Sequence, residues 1–524
     1  MSELIVQPTT SAAPAQDFAR EGNHRKRSDA MVHLDLRRTA GKVDRRIFSG
    51  FAEHIGRVVY GGLFDPGNAL SDAAGFRKDV LDLLKPLHMA AVRYPGGNFV
   101  SNYDWRDGIG PREQRRVRPD FAWKTLESNR FGVDEFVAWC RALGTDPMMV
   151  VNLGTGNARD AAELLEYCNL PAGTYWSDQR AANGHPEPYG IRLWGLGNEM
   201  DGPWQAGHCP ASVYARRAYE SAQLMKGLDP SIEVVLCGST VPAMSTYMTW
   251  DQAVLEECWS LVDYVSAHHY SKNPMRDTRQ FLAEGVVIDE MLEDYRALIR
   301  FVQAKKKSKK PIYVAFDEWN VWYRDEKSAE QWWSEAPPLL EEQYNLEDAL
   351  VVAQYLSSFI RNADIVKIAC IAQVVNVIAP VLTRKNGVLA QSIYYPFLLY
   401  SQAAGGTALS CHVRCRSYKA GNKEHVPVLD VAATVTDACD QASIFLVNRD
   451  TERAVISDIE IGGGKIKRIL GVQELSGDDP HAANTWESPG AVVPCEGKAF
   501  LSKEVLVVEA PALSLVVVQV ELEA

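Results

Sequence analysis

The sequence contains no stretch of 18 or more apolar residues in its 524, so no segment of it reads as a membrane-spanning helix. It also lacks a surplus of positive charge. Lys and Arg number 55 against 67 Asp and Glu, a formal net charge of -12, which speaks against a surface that binds nucleic acid by displacing counterions. The one basic run, Lys305 to Lys310, follows an apolar helical stretch and precedes a strand, and reads as a solvated helix end. Cysteine is scarce. Its 10 residues stand mostly alone beside apolar neighbours, as in Trp139-Cys140 and Leu236-Cys237, a pattern of buried thiols in a reducing compartment rather than of disulfides. Cys411 and Cys415 have no second pair near enough in sequence to complete a zinc site. Residues 1–30 carry no apolar leader core, because Asp17, Arg20, Glu21, His24, Arg25, Lys26 and Arg27 interrupt every candidate. The expectation is a cytoplasmic chain with a disordered extension over residues 1–30 and no nucleic-acid or membrane partner.

Missing motifs narrow the chemistry. There is no G-x-S-x-G elbow for serine hydrolysis and no Walker sequence. No lysine clearly ends a strand, as Schiff-base chemistry would want. His268 and His269 are adjacent, so on a strand they point to opposite faces and cannot readily share a metal. Neither a metal nor a cofactor is expected.

What is present is a rhythm. Short apolar runs at residues 47–53, 89–94, 147–153, 191–197, 232–239, 262–269, 312–318 and 365–374 read as strands. Between them lie helical patterns at Phe76–Leu87, Val133–Leu143, Ala211–Leu228, Ile288–Lys305 and Leu346–Arg361, with Gln391–Gln402 closing the series less clearly. Near-continuous apolar strands separated by helices imply a parallel sheet covered on its outer face, and eight units close naturally into a (β/α)₈ TIM barrel. The alternative, a doubly wound open sheet, is weakened because no glycine-rich dinucleotide fingerprint follows the first strand. Past residue 402 the helical period stops. Short runs at Val426–Val431, Ser443–Val447, Val455–Ile459, Ala491–Val493 and Leu513–Val520 predict an all-β sandwich. The expected division is an N-terminal strand at 31–44 joining the sandwich, a catalytic barrel at 45–402 and a C-terminal sandwich at 403–524.

Functional groups of such barrels gather at the C-terminal strand ends. Here those ends read Glu53-His54, Arg93 to Asn98, Asn152-Leu153-Gly154, Gly197-Asn198-Glu199, His268-His269-Tyr270, Asp317-Glu318-Trp319-Asn320, and Gln373 with Asn376. Seven apolar strands ending in carboxylates, amides and aromatics suggest one shared polyhydroxylated ligand. Strands four and seven face each other across the mouth, so Glu199 and Glu318 suit a glycosidase carboxylate pair. Sequence leaves open whether they stand ~5–5.5 Å apart, as in retaining enzymes, or ~6.5–9.5 Å, as in inverting ones. Asn198 beside Glu199 marks it as the acid/base, able to hold a sugar hydroxyl next to the acid, and Glu318 is then the nucleophile, kept ionised by Arg93. The competing readings are a helix N-terminal charge for Glu199 and an ion-paired strand end for Glu318. His268 is either a hydrogen-bond partner behind the site or a core histidine, and Tyr270 either a donor to the nucleophile or rim packing. Trp105, Trp204, Trp322, Trp332 and Trp333 lie in or near loops after the strands and either stack on sugars or plug the fold. The insertion from 99 to 130 and the segment from Tyr323 to Tyr344 are expected to fold over the site.

These residues carry a resemblance. Ser49 to Arg57, Arg93 to Asn98, Gly195 to Gln205, Ser266 to Tyr270, Asp317 to Tyr323 and Ala372 to Ile378 are similar to motifs of the α-L-arabinofuranosidases of glycoside hydrolase family 51, in the same order and over nearly the whole chain from about residue 31. The resemblance implies a retaining barrel hydrolase with a jelly-roll-type sandwich. It places the acid/base on Glu199 and the nucleophile on Glu318. It also places sugar contacts on Glu53, Asn98, Asn198, Tyr270 and Gln373, the family's arginine on Arg93, and pocket-shaping tryptophans on Trp105 and Trp322. It implies an intracellular homo-oligomer, often a hexamer, acting on terminal arabinofuranose of arabino- and arabinoxylo-oligosaccharides. Residues 1–30 and Ser49, where a smaller residue is usual, depart from the pattern. A related β-xylosidase or β-glucanase, and a non-catalytic carbohydrate-binding protein, are the alternative functions.

Overall fold

The computed structural model of the protein describes residues 28–323 and 332–523. The extension expected at residues 1–30 falls almost wholly outside them, as does the first part of the loop that begins at Tyr323. Eight parallel strands close into a barrel. In chain order they are Ser49–Phe51, Ala91–Tyr94, Asp146–Val151, Leu193–Leu196, Glu233–Leu236, Tyr264–Ser271, Tyr313–Val321 and Val366–Ala372. The eighth pairs with both the seventh and the first, which closes the ring. Runs such as Met148-Met149-Val150-Val151 are buried on both faces, which is why they show no alternation of apolar and polar residues.

Helices Val133–Leu143, Ala211–Leu228 and Leu346–Arg361 begin and end where the apolar period does. Leu346–Arg361 differs from the others because nearly every residue is buried, including Leu350, Val352 and Phe359. It is apolar all round because barrel strands lie on one side and sandwich strands on the other. Asn345 caps its first turn, and the Asp348 side chain answers by accepting from the Asn345 N–H. Helices Ala158–Asn169, Tyr175–Ala182 and Thr249–Cys258 also cover the barrel.

The all-β part is a ten-stranded sheet that curls over one apolar core. Val455, Ile459, Leu506 and Val508 come from one half, and Ile444, Leu446, Val516 and Val518 from the other. Strand Ala30–Lys42 lies inside this sheet, antiparallel to Thr407–Arg414 and parallel to Val455–Gly462, with Val32 and Leu34 facing the core. The run Ala491–Val493, expected as a strand, is not one. Asn484 satisfies both the N–H and the carbonyl of Val492, so that segment takes its hydrogen bonds from a side chain instead of a ladder. The long strand Lys465–Ser476 was not evident because it lies next to the sheet edge and most of it is only partly buried.

Candidate active site

Strand seven carries the sharpest local irregularity. Between Ala315 and Glu318 it holds one residue more than strand six, whose Ser266 and His268 face those two positions. Such a bulge re-aims side chains. Here it brings both Asp317 and Glu318, which strict alternation would send to opposite faces, into one buried network. Arg93, from strand two, sits at its centre and is almost wholly buried. Its guanidinium donates to Glu318 Oε1 at 2.6 Å and to Asn198 Oδ1 at 2.6 Å, and its Nε stands 3.3 Å from Asp317 Oδ2. Phe51, from strand one, packs its ring 4.4 Å below the same group.

Strand six supplies the next layer. Tyr270 donates to Glu318 Oε2 at 2.9 Å. His268 reaches Glu199 Oε1 through Nδ1 at 3.1 Å, and its Nε2 lies 3.0 Å from the Ser266 hydroxyl and 3.4 Å from Asp317 Oδ1. His269 points the other way, toward Glu284 and the Tyr355 ring outside the barrel. Strand four ends in a double kink. Gly197 has φ 78° and Glu199 itself φ 45°, a left-handed backbone that costs a non-glycine residue about 1–3 kcal/mol. The Glu199 carbonyl accepts from Gly202 N–H at 2.8 Å. Its Oε2 accepts from the Trp204 indole at 2.8 Å.

Opposite these lies Glu53, at the end of strand one. Its Oε1 accepts from Phe99 N–H and from Trp123 Nε1, each at 2.9 Å, and its own N–H donates to Gln373 Oε1 at 2.8 Å. Gly97 must be glycine here, since a Cβ would stand 2.4 Å from Glu53 Oε2. Asn320 holds the carbonyls of Ala372 and Ile378 and so fixes the backbone that presents Gln373.

The network separates the ionisation of its members. Burial opposes the charge of Arg93, but the Asp317 and Glu318 carboxylates outweigh it and hold the guanidinium above its ordinary value. Burial likewise opposes a charged His268, yet Glu318, Asp317 and Glu199 push it up to about 10. Asp317 is raised by burial and lowered more by Arg93, His268 and Ser266, so it ends below the usual carboxylate range. Glu53 goes the other way: burial first, then the Glu318 carboxylate, push it up to about 8. Tyr270 is raised by burial and by Glu318 and Glu199, and stays a phenol donor.

Atoms of Glu199, His268 and Glu318 all lie within 4.8 Å of one another, the one such group of three among the described residues. That spacing would admit a cation. The same three groups are also placed for acid–base work, with His268 Nδ1 3.1 Å from Glu199 Oε1 and 3.7 Å from Glu318 Oε2.

Glu53, Asn98, Glu199, Tyr270, Glu318, Trp322 and Gln373 line one cavity together. Arg93, Asn198 and His268 stand behind it and hold its walls. Trp105 does not line it, and the expectation for that residue is corrected. Its ring is buried 4.9 Å from Trp176 and 5.4 Å from Tyr167, below the guanidinium of Arg106. Trp123 occupies the cavity wall instead. The Asp120 side chain accepts from the N–H groups of Ala122 and Trp123, and this turn carries the indole to Glu53. Asp317, Ser266 and Trp123 are the participants that sequence reasoning did not assign, and Trp204, expected either to stack on sugars or to plug the fold, donates to Glu199. An Asp three residues before Trp123 is the one local signal that could have found that indole.

Comparison with known proteins agrees with this geometry. Models of an α-L-arabinofuranosidase 1 domain and an α-L-arabinofuranosidase C-terminal domain match residues 83–290 and 317–514. An intracellular exo-α-(1→5)-L-arabinofuranosidase of Acetivibrio thermocellus is 44% identical over 84% of this chain and 89% of its own. An exo-α-(1→6)-L-arabinofuranosidase of Bifidobacterium longum is 42% identical over 86% of this chain and 89% of its own. The solved structure of a family 51 α-L-arabinofuranosidase from Bifidobacterium longum superposes with a TM-score of 0.90 at 36% identity, covering 94% of this chain and 99% of that one.

Proposed function

The chain belongs to the α-L-arabinofuranosidases of glycoside hydrolase family 51, and on that premise we propose that it removes terminal arabinofuranose by double displacement, with Glu318 as nucleophile and Glu199 as acid/base. The observation that carries this reading is the separation of the two glutamates. One carboxylate oxygen of Glu199 lies within 4.8 Å of one oxygen of Glu318, a facing-oxygen approach that supports a retaining pair, because an inverting pair must leave room for water between its carboxyl groups.

The donors around the pair support separate roles. Arg93 and Tyr270 hold both oxygens of Glu318 and aim it at the anomeric carbon. Glu199 gives its proton to the leaving oxygen while Glu318 forms the glycosyl-enzyme bond. Glu199 then takes a proton from water, which attacks the same carbon and restores Glu318. Glu53 is predominantly uncharged at neutral pH in the free cavity, so its carboxyl group offers a sugar hydroxyl both a donor and an acceptor. Asn98 and Gln373 present amides, and Trp123 and Trp322 present flat faces.

The substrates this reading favours are arabino- and arabinoxylo-oligosaccharides. The relatives' names divide between 1→5 and 1→6 linkages, so the linkage is decided by product profiling on linkage-defined oligosaccharides. Relatives named intracellular support a cytoplasmic location, and no helix among the described residues is long and apolar enough to cross a membrane. A homo-oligomer of hexamer size belongs to the same reading, and light scattering checks it. The test of the mechanism is NMR of the first-formed sugar. Retained anomeric configuration is expected, and inversion overturns the reading. A preference for aryl β-xyloside over aryl α-L-arabinofuranoside would transfer the chain to the β-xylosidase alternative. Sugar binding without turnover would make it a carbohydrate-binding protein.

A further inference from the structure

Trp204 differs from the other aromatics of the site. Trp123, Tyr270 and Trp322 line the cavity, whereas the Trp204 ring stands outside that lining and is 44% exposed. Nevertheless its Nε1 donates to Glu199 Oε2 at 2.8 Å. The chain from Glu199 to Gln205 is shaped to return the indole to that carboxyl group. Gly202 donates its N–H to the Glu199 carbonyl, and a Cβ on Gly202 would stand 2.6 Å from indole Cε2. Asp201 is fixed by Thr240 and Thr246, and Gln205 reaches the Asn98 carbonyl. The indole is thus held by its N–H and by the turn beneath it, with much of its surface left open.

An indole N–H can only donate, and its bond to a carboxyl oxygen strengthens when that group is ionised. Glu199 enters the first step protonated and leaves it ionised. The Trp204 bond therefore tightens as the proton passes to the leaving oxygen, which lowers the barrier rather than deepening the ground state. The open ring is bonded to the acid that serves the leaving group, and an indole face stacks on sugar rings. We propose that Trp204 positions the Glu199 carboxyl group for proton transfer and offers its exposed face to the leaving-group sugar. This rests on the reading of Glu199 as acid/base.

The test compares Trp204→Phe, Gly202→Ala and Glu199→Ala on an aryl α-L-arabinofuranoside and on an arabino-oligosaccharide, each over a pH range. Trp204→Phe keeps a ring and loses the N–H. It should lower kcat/KM on the oligosaccharide about 10-fold or more, the scale of a hydrogen bond to a charged group, and leave the aryl substrate within about 3-fold. The alkaline limb of its oligosaccharide kcat/KM profile should move to higher pH, because the donor that favours the ionised form is gone. Gly202→Ala displaces the indole and leaves its N–H chemically intact, and it should reproduce the same split. Equal losses on both substrates, or an unmoved alkaline limb, overturn the proposal. Glu199→Ala separates the two readings. If it loses both substrate classes alike, the acid/base assignment itself falls. If it shows the split and the Trp204 and Gly202 variants do not, Trp204 alone loses its role.

Discussion

The barrel mouth and the sandwich interior bury opposite kinds of side chain. Inside the sandwich, Val32, Leu34, Ile444, Leu446, Val508, Val516 and Val518 meet with no charged partner among them. Behind the barrel mouth, Arg93, His268, Asp317 and Glu318 are as deeply buried and are all ionisable. A hydrophobic cluster is satisfied by volume alone and tolerates imperfect direction. A buried ion cluster is satisfied only when each charge has its partner, and its net contribution to stability is small because desolvation offsets attraction. The barrel thus holds in place an arrangement that does little for its stability and much for its chemistry, on a scaffold made firm by apolar packing elsewhere.

The widest separation of the two regions is expected from Glu318→Ala. It should reduce hydrolysis of every substrate by about 10⁴-fold or more, the scale seen when a nucleophile is deleted, while the fold persists in a denaturant melt because Arg93 keeps Asp317 as a buried partner. Residual activity on aryl substrates near the parent level would remove Glu318 from the chemistry.

Next comes a pair of core substitutions. Arg93→Met leaves Asp317 and Glu318 buried with His268 alone to balance them and should cost about 3–5 kcal/mol of stability together with activity. Leu446→Ala in the sandwich should cost about 2–5 kcal/mol through lost burial and a cavity, with kcat unchanged at temperatures where the variant stays folded. If Leu446→Ala alters kcat as much as Arg93→Met does, the two regions are not separable in the way their contents suggest.

A smaller contrast lies within the mouth. Trp123→Phe removes the indole donor to Glu53 and should lower kcat/KM about 3–10-fold, the scale of a hydrogen bond to an uncharged group. Trp105→Phe should lower the melting temperature and leave KM near its parent value, since that ring touches Trp176 and Tyr167 instead of the cavity.

The same contrast can be read in the pH dependence of stability. Glu53 is raised from 4.5 to about 8, so between those values the folded chain holds a proton that the unfolded chain has lost, and stability falls as pH rises. His268 is raised from 6.5 to about 10. Its contribution is complete below 6.5 and is lost as pH climbs through about 10. Melting temperature should therefore decline from mildly acidic to alkaline pH, and Glu53→Gln should flatten the lower part of that decline. A slope unchanged by Glu53→Gln would show that Glu53 titrates normally.

Much of the barrel was legible because each strand is an apolar run that stops at a polar residue, a signal that survives without any knowledge of contacts. Those strand ends contain Glu53, Asn98, Glu199, Tyr270, Glu318 and Gln373, which line one cavity, though Glu53, Asn98 and Gln373 were picked out from their neighbours only by the family resemblance. What failed to show was whatever depends on irregular backbone. Asp317 joins the network through a bulge that breaks the two-residue period. Trp123 and Trp105 lie in an insertion with no period at all, where only a turn made by Asp120 decides which indole faces the sugar site. The sandwich was harder to read for a related reason. Its strand at Lys465–Ser476 carries Lys465, Lys467 and Arg468 near the sheet edge and lacks the continuous apolar run of a core strand.

Strand Ala30–Lys42 has a consequence for how the molecule is made. It leaves the ribosome before any of the barrel, and its neighbours Thr407–Arg414 and Val455–Gly462 emerge after all of it. The nascent chain must therefore carry Val32 and Leu34 unpaired through the whole synthesis of the barrel. Only then can the strand be inserted between two partners whose distance in sequence makes their meeting slow. Throughout that interval an unpaired strand edge is open to other chains. Slowing elongation, or withholding chaperones that shield such edges, would be felt first at this seam.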